Sequence, residues 1–289
     1  MCKAPREQFR VLGIRLNQSQ GRNPRRVTGA GTTIVRCQAC GLVFPDPQPI
    51  PARIEDHYDM PGEAYWGDAR AIPEVQPAAL AHWKKLRTLI AGEVAPCALD
   101  VGVGSGFTAQ AMIAGGFDVH GFEPIPQFRE LALKALALPA ERIAACGIED
   151  AAYPPGTFDL INFGAVLEHL YDPSGSLKKA LGWLKCGGLI VLEVPSSDWL
   201  VAKLVNAFFR LRGTGYVTNC SPMHSPFHLY EFTPEAFRRN GERMGYAIAA
   251  ADYDVGRETV LPGPLQRLLN PAMRLTDTGL TLNLVLRKD

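Results

Sequence analysis

The run Leu99-Asp100-Val101-Gly102-Val103-Gly104-Ser105-Gly106 restricts this chain more than any other. Residues 97–101 read as a short buried strand, and the residues after Gly106 read as a helix reaching about Gly115. A chain places glycines between strand and helix where it must turn tightly and bring its backbone close to a ligand, with no Cβ in the way. The next apolar run ends in Gly121-Phe122-Glu123, with Glu123 standing 21 residues beyond Gly102. A carboxylate at the end of a second strand can accept hydrogen bonds from both hydroxyls of a ribose. Strand, glycine turn, helix, strand and acid in that order predict a ligand containing adenosine, held at the crevice of a parallel sheet.

The alternation continues downstream. Residues 97–101, 117–122, 142–146, 158–163 and 189–194 read as strands. Helices are predicted after Gly106 and over 125–138 and 173–184, the last stopped by Gly187-Gly188. Two helices follow at about 198–211 and 234–244, then strands at 246–253 and 280–287 with no helix read between them, which predicts an antiparallel edge. The fold class is α/β, a Rossmann-like doubly wound sheet. A helix at 77–95 and a small hairpin around Cys37 and Cys40 precede it. The predicted organisation is a basic arm and hairpin at 1–51, a helical linker at 52–95, and the sheet domain at 96–289 with a helical lid at 198–232.

A chain of 289 residues, 47% of them hydrophobic, can bury a core without metal or disulfide staples. Its net charge of +1 excludes a protein that coats nucleic acid with its whole surface, and no specific nucleic-acid partner is expected. The balance is uneven: residues 1–36 hold eight Lys/Arg against Glu7, so the arm is +7 and the remainder −6. Residues 1–30 read as loosely attached. Seven cysteines with no disulfide framework, no secretory signal and no spanning segment predict a cytoplasmic protein.

Two ligand classes fit the turn. A dinucleotide site reads G-x-G-x-x-G and places a pyrophosphate on the helix N-terminus, which is the nicotinamide-dependent oxidoreductase reading. Here the spacing is G-x-G-x-G, and Asp100 beside it would repel a pyrophosphate. S-adenosylmethionine carries adenosine, no phosphate, and an ammonium group that suits nearby acceptors. Further runs agree with it: Gly156-Thr157-Phe158-Asp159-Leu160-Ile161, then Val166-Leu167-Glu168-His169-Leu170-Tyr171-Asp172-Pro173, then Leu184-Lys185-Cys186-Gly187-Gly188-Leu189-Ile190-Val191. Together with the glycine turn they resemble, over about 96–289, the class I S-adenosylmethionine-dependent methyltransferases. The branch most resembled contains ubiquinone-type O-methyltransferases and sugar and natural-product tailoring enzymes.

The resemblance implies a seven-stranded sheet whose last strand is antiparallel, and S-adenosyl-L-methionine as cofactor. It implies that Gly102, Gly104 and Gly106 pass the backbone near the methionine part, and that Asp100 anchors the turn and the amino group. Glu123 would hold the ribose hydroxyls, and Ile148 and Glu149 would flank the adenine. Many relatives carry Asp where Ile148 stands. Asn162, Phe163 and Gly164 would line the sulfonium.

An oxygen acceptor must lose a proton, so a base is expected. His228 is the first candidate, with His224 and His169 behind it and Tyr230 as a secondary contact. The expected reaction is metal-independent methylation of a small-molecule hydroxyl, on a quinol, sugar or natural-product intermediate. Carbon methylation and a non-catalytic binding protein are the other readings. Cys37-Gln38-Ala39-Cys40 resembles the second half of a zinc ribbon, making Cys37 and Cys40 the metal candidates. Four ligands are required, and only Cys2, His57 or another subunit could complete the set, so the segment reads as degenerate and zinc is not expected. Residues 199–212 form a basic amphipathic helix that suits a membrane surface or lipidic acceptor, a packed lid, or a homodimer contact.

Overall fold

A computed structural model describes residues 1–18, 27–49, 74–90, 94–224, 226–255 and 263–289. Strands β1 (Phe9–Gln18) and β2 (Val27–Cys37) pair as a long antiparallel hairpin, from Phe9↔Cys37 to Gln18↔Val27. Strand β3 (Val43–Pro45) pairs on the other side of β2. The expectation that residues 1–30 are loosely attached is therefore corrected for 9–18 and 27–30. Backbone hydrogen bonds from Ile14 to Gly215 (2.8 Å), and in both directions between Val43 and Glu231 (3.0 Å each), fasten this sheet to a later segment.

Helix α1 (Pro77–Thr88) is shorter than its periodicity predicts and buries Trp83 and Leu86. The doubly wound part follows in the expected order: β4 (Cys97–Val101), α2 (Phe107–Ala114), β5 (Asp118–Phe122), α3 (Pro126–Leu136), β6 (Ile143–Ala144), β7 (Phe158–Gly164), α4 (Pro173–Trp183) and β8 (Leu184–Pro195). Helix α5 (Leu200–Leu211), α6 (Pro234–Met244), β9 (Tyr246–Asp254), α7 (Gly263–Thr276) and β10 (Thr281–Lys288) complete the chain. The sheet runs β6-β5-β4-β7-β8-β10-β9, with its last strands antiparallel. The antiparallel edge agrees with the sequence reading, but the reason given for it does not, because α7 stands between the two final strands.

The chain divides into two compact units. One comprises Met1–Pro51, Leu167–Ser174 and Leu192–Val285; the other comprises Ala52–Val166, Gly175–Val191 and Leu286–Asp289. In the second, Leu99, Met112, Phe158, Leu160, Ile161 and Phe163 are completely buried. Each such side chain is worth about 1.5–3 kcal/mol relative to exposure. Tyr153 meets Phe158 and Trp183 edge-on, at 5.0 and 5.2 Å between ring centroids. In the first unit, Thr233 caps α6 by accepting the Ala236 N–H at 3.1 Å, and its hydroxyl donates to the Cys40 carbonyl.

Candidate functional site

From β4 the chain winds outward through β5 and β6, then returns to β7 on the other side of β4. Open sheets bind ligands at the carboxyl ends of the strands flanking such a reversal. The parallel registers Asp100↔Gly121 and Asp100↔Asn162 set three predicted elements side by side there. Gly102, Gly104 and Gly106 have φ of +67°, +56° and +90°, a region that costs other residues steric energy. A Cβ on Gly102 would also lie 2.9 Å from Val166 Cγ2.

The turn is fastened to the end of β5. The N–H groups of Gly102 and Val103 donate to the Phe122 carbonyl at 3.0 and 3.2 Å. Glu123 accepts the Gly104 N–H through Oε2 and the Ile125 N–H through Oε1, each at 2.9 Å. Burial raises its carboxyl above the usual range, and those two N–H groups oppose the rise. The acid thus stabilises the glycine turn, a contact the sequence reading did not contain.

Asp100 is 2% exposed. Its Oδ1 accepts the Asn162 side-chain amide at 2.8 Å, while Oδ2 is buried with no hydrogen-bond partner among the described residues. Burial pushes its carboxyl up to about 7; the Asn162 bond works against this and the Glu123 charge adds to it. A buried acceptor without a donor costs free energy, and an ammonium group placed there would remove that cost. The residues therefore fit an aminoacyl adenosine cofactor. Ile148 is buried and apolar, and Glu149 is exposed, its carbonyl taken by Lys179 Nζ at 2.6 Å. Phe163 is completely buried in the core, so its backbone rather than its ring is left to line a ligand.

The other unit holds the predicted bases. His169 and His228 lie with ring centroids 5.1 Å apart. Glu168 Oε1 is 3.9 Å from Nε2 of each. Glu168 is 1% exposed, and burial raises its carboxyl to about 8. Burial and the neighbouring His169 lower the His228 imidazole well below its ordinary value, so it is neutral at pH 7. Glu168, which as the lone carboxylate past the fourth strand is expected on the following turn with no role, is the third member of this cluster. His224 is placed elsewhere: its Nδ1 accepts the Gln18 N–H at 3.3 Å, and its Nε2 lies 3.2 Å from Arg15 Nη2. Tyr230 hydroxyl lies 3.0 Å from the Tyr171 carbonyl and 3.1 Å from Gln48 Oε1.

Cys37 and Cys40 are buried, and Cys2 joins them with its sulfur 3.6 Å from that of Cys37. The three thiols lie within 4.8 Å of one another. Among the described residues this donor set is one short of a closed tetrahedral zinc site. His57 lies outside the described residues.

Residues 75–251 match the family model described as "Methyltransferase domain". The chain belongs to that family, and its fold and turn make it a class I S-adenosylmethionine-dependent methyltransferase. It is 30% identical over 189 residues to a protein named ubiquinone biosynthesis O-methyltransferase from Ralstonia nicotianae, spanning 63% of this chain and 71% of the relative. An Aliivibrio fischeri protein of the same name is 28% identical, over 48% of this chain and 60% of its own length. A rice protein named 2-methyl-6-phytyl-1,4-hydroquinone methyltransferase 1 is 28% identical, over 49% of this chain and 40% of its own. The chain thus spans less than two thirds of several curated relatives it matches. The fold is shared with a methyltransferase structure from Archaeoglobus fulgidus, at a TM-score of 0.51 and 16% identity, covering 73% of this chain and 93% of that one. The family sets aside the oxidoreductase reading of the glycine turn.

Asp100 supplies a pH test of whether an ammonium group is held at this turn. A carboxyl raised by folding costs stability as pH climbs from its ordinary 3.8 to about 7, and an ammonium at Oδ2 offsets that cost. Saturating S-adenosylhomocysteine is expected to raise the melting temperature more at about pH 8 than at about pH 6, and Asp100→Asn to abolish the difference. Equal increments at both pH values in the wild type would place the amino group elsewhere.

Proposed function

We propose that this chain transfers a methyl group from S-adenosylmethionine to a hydroxyl of a small molecule, a quinol, sugar or natural-product intermediate, without a metal. The observation that carries the reading is the glycine turn bonded to Glu123, with Asp100 offering a buried acceptor beside it. The cofactor supplies an electrophilic methyl on a sulfonium. Glu123 takes the ribose hydroxyls, and Asp100 with the turn holds the methionine end. His228 takes the acceptor's proton, with Glu168 balancing the imidazolium that forms. The relatives named O-methyltransferases favour a hydroxyl as acceptor.

The purified chain, incubated with labelled S-adenosylmethionine and a panel of quinol, sugar and polyketide-type hydroxyls, is expected to yield an O-methyl product that persists in EDTA. A product methylated on carbon would overturn the acceptor assignment. Turnover lost in EDTA and restored by a divalent cation would overturn the metal-independent reading, and would reassign Glu168, His169 and His228 as ligands.

A further inference from the structure

Helices α5 and α7 both turn an apolar stripe outward. On α5, Val201 and Ala202 are buried, while Leu204, Phe208 and Leu211 are exposed at spacings of four and three residues, one side of a helix. On α7, Met273 is buried, while Leu265, Leu268 and Leu275 are exposed at spacings of three and seven. Leu211 is 88% exposed, Leu275 87% and Leu268 72%. Isolated exposed leucines need no explanation, but an exposed apolar stripe on each of two helices of one folded unit does. The helices are joined at their ends, for the Leu200 N–H donates to the Thr278 carbonyl at 3.0 Å, just past α7.

The charges carried by the two helices themselves are all basic, while Asp198 precedes α5 and Asp277 follows α7. Arg210 and Arg212 flank the first and Arg267 and Arg274 the second, and neither helix contains an acidic residue. Lys203 is already paired with Asp198 at 2.9 Å. Among the described residues no helix is long and apolar enough to cross a membrane. A second copy would bring a second set of these arginines to the contact without adding an acid from either helix. A surface of anionic headgroups over acyl chains complements both features, because such helices lie in the interface with the apolar face inserted and the cations among the headgroups.

We propose that α5 and α7 dock this protein on an anionic lipid surface. Val201, Ala202 and Met273 hold the helices to their unit, and the leucine and phenylalanine stripes enter the membrane interface. The full chain is to be sedimented with vesicles of phosphatidylcholine alone and with about 30% phosphatidylglycerol added. Binding is expected to the mixed vesicles and to fall steeply at about 0.5 M NaCl, as screening requires. Phe208→Glu with Leu268→Glu is expected to weaken it at least ~10-fold while leaving the melting temperature and S-adenosylhomocysteine affinity unchanged. No binding to anionic vesicles, or binding indifferent to the double substitution, would overturn the proposal. So would self-association in sedimentation velocity that the double substitution abolishes without any vesicle binding, since a second copy would then be the occupant.

Discussion

Glu123→Ala is expected to lower the affinity for S-adenosylhomocysteine roughly 100-fold. A hydrogen bond to a charged group contributes about 1.5–3 kcal/mol, and on the proposed reading the substitution removes the ribose contact together with the support of the turn. The Gly104 and Ile125 N–H groups now donate to this carboxylate, so truncation strands two donors at a nearly buried site. The loss therefore appears in the free protein as well, as a melting temperature several degrees lower. Glu123→Gln separates the two effects: its single carbonyl oxygen can serve one N–H, while its amide faces the other as a donor. Calorimetric titration with S-adenosylhomocysteine measures the first effect and thermal unfolding without ligand the second. Unchanged affinity in Glu123→Ala would remove the carboxylate from the cofactor site.

The cofactor unit was legible because its signals are local. Strands β4 and β7 are largely apolar runs, the turn needs glycine at three left-handed positions, and Glu123 directly follows β5, whose parallel register with β4 brings it beside the turn. The hairpin around Cys37 and Cys40 was legible and is the β2–β3 pair, but β1 and the start of β2 were illegible for the opposite reason. Irregularities between Val11 and Gly13 and between Leu16 and Gln18 break the alternation of β1. The charges of β1 and β2 also find their partners far along the chain: Arg36 on β2 pairs with Asp198 at 3.1 Å, and Arg15 on β1 is half-buried under the influence of Glu231. Residues 9–18 and 27–37 are strand because they pair with each other along the backbone, and Arg36 and Arg15 meet acids of the later segment.

Helix α7 was missed because its apolar residues mark the outward face and Pro271 interrupts its interior. A periodicity search assumes that leucines point inward. His224 misled for a related reason, since the partners that engage its ring, Gln18 and Arg15, are 206 and 209 residues away. Glu168 stood in plain view beside His169, yet nothing in the order of residues says that it is 1% exposed.

That burial shapes the second large expectation. His228→Ala is expected to lower kcat about 10²- to 10⁴-fold, the usual contribution of a positioned general base. Affinity for S-adenosylhomocysteine is expected to stay within about twofold, because the glycine turn, Asp100 and Glu123 are untouched. An imidazole kept neutral by burial is in the protonation state a base needs, but it accepts a proton readily only if the resulting cation is balanced. On the proposed reading Glu168 supplies that balance once ionised, and burial holds its carboxyl high, so the ionised fraction grows as pH rises above neutrality. Wild-type turnover is therefore expected to climb on the alkaline side of pH 7, and Glu168→Gln, which preserves shape but has no charge, to flatten that climb. Loss of turnover in both variants with an unchanged pH profile in Glu168→Gln would reduce the carboxyl to a packing role. A His228→Ala protein that turns over as fast as the wild type would end the assignment of His228 as the base and move it to His169.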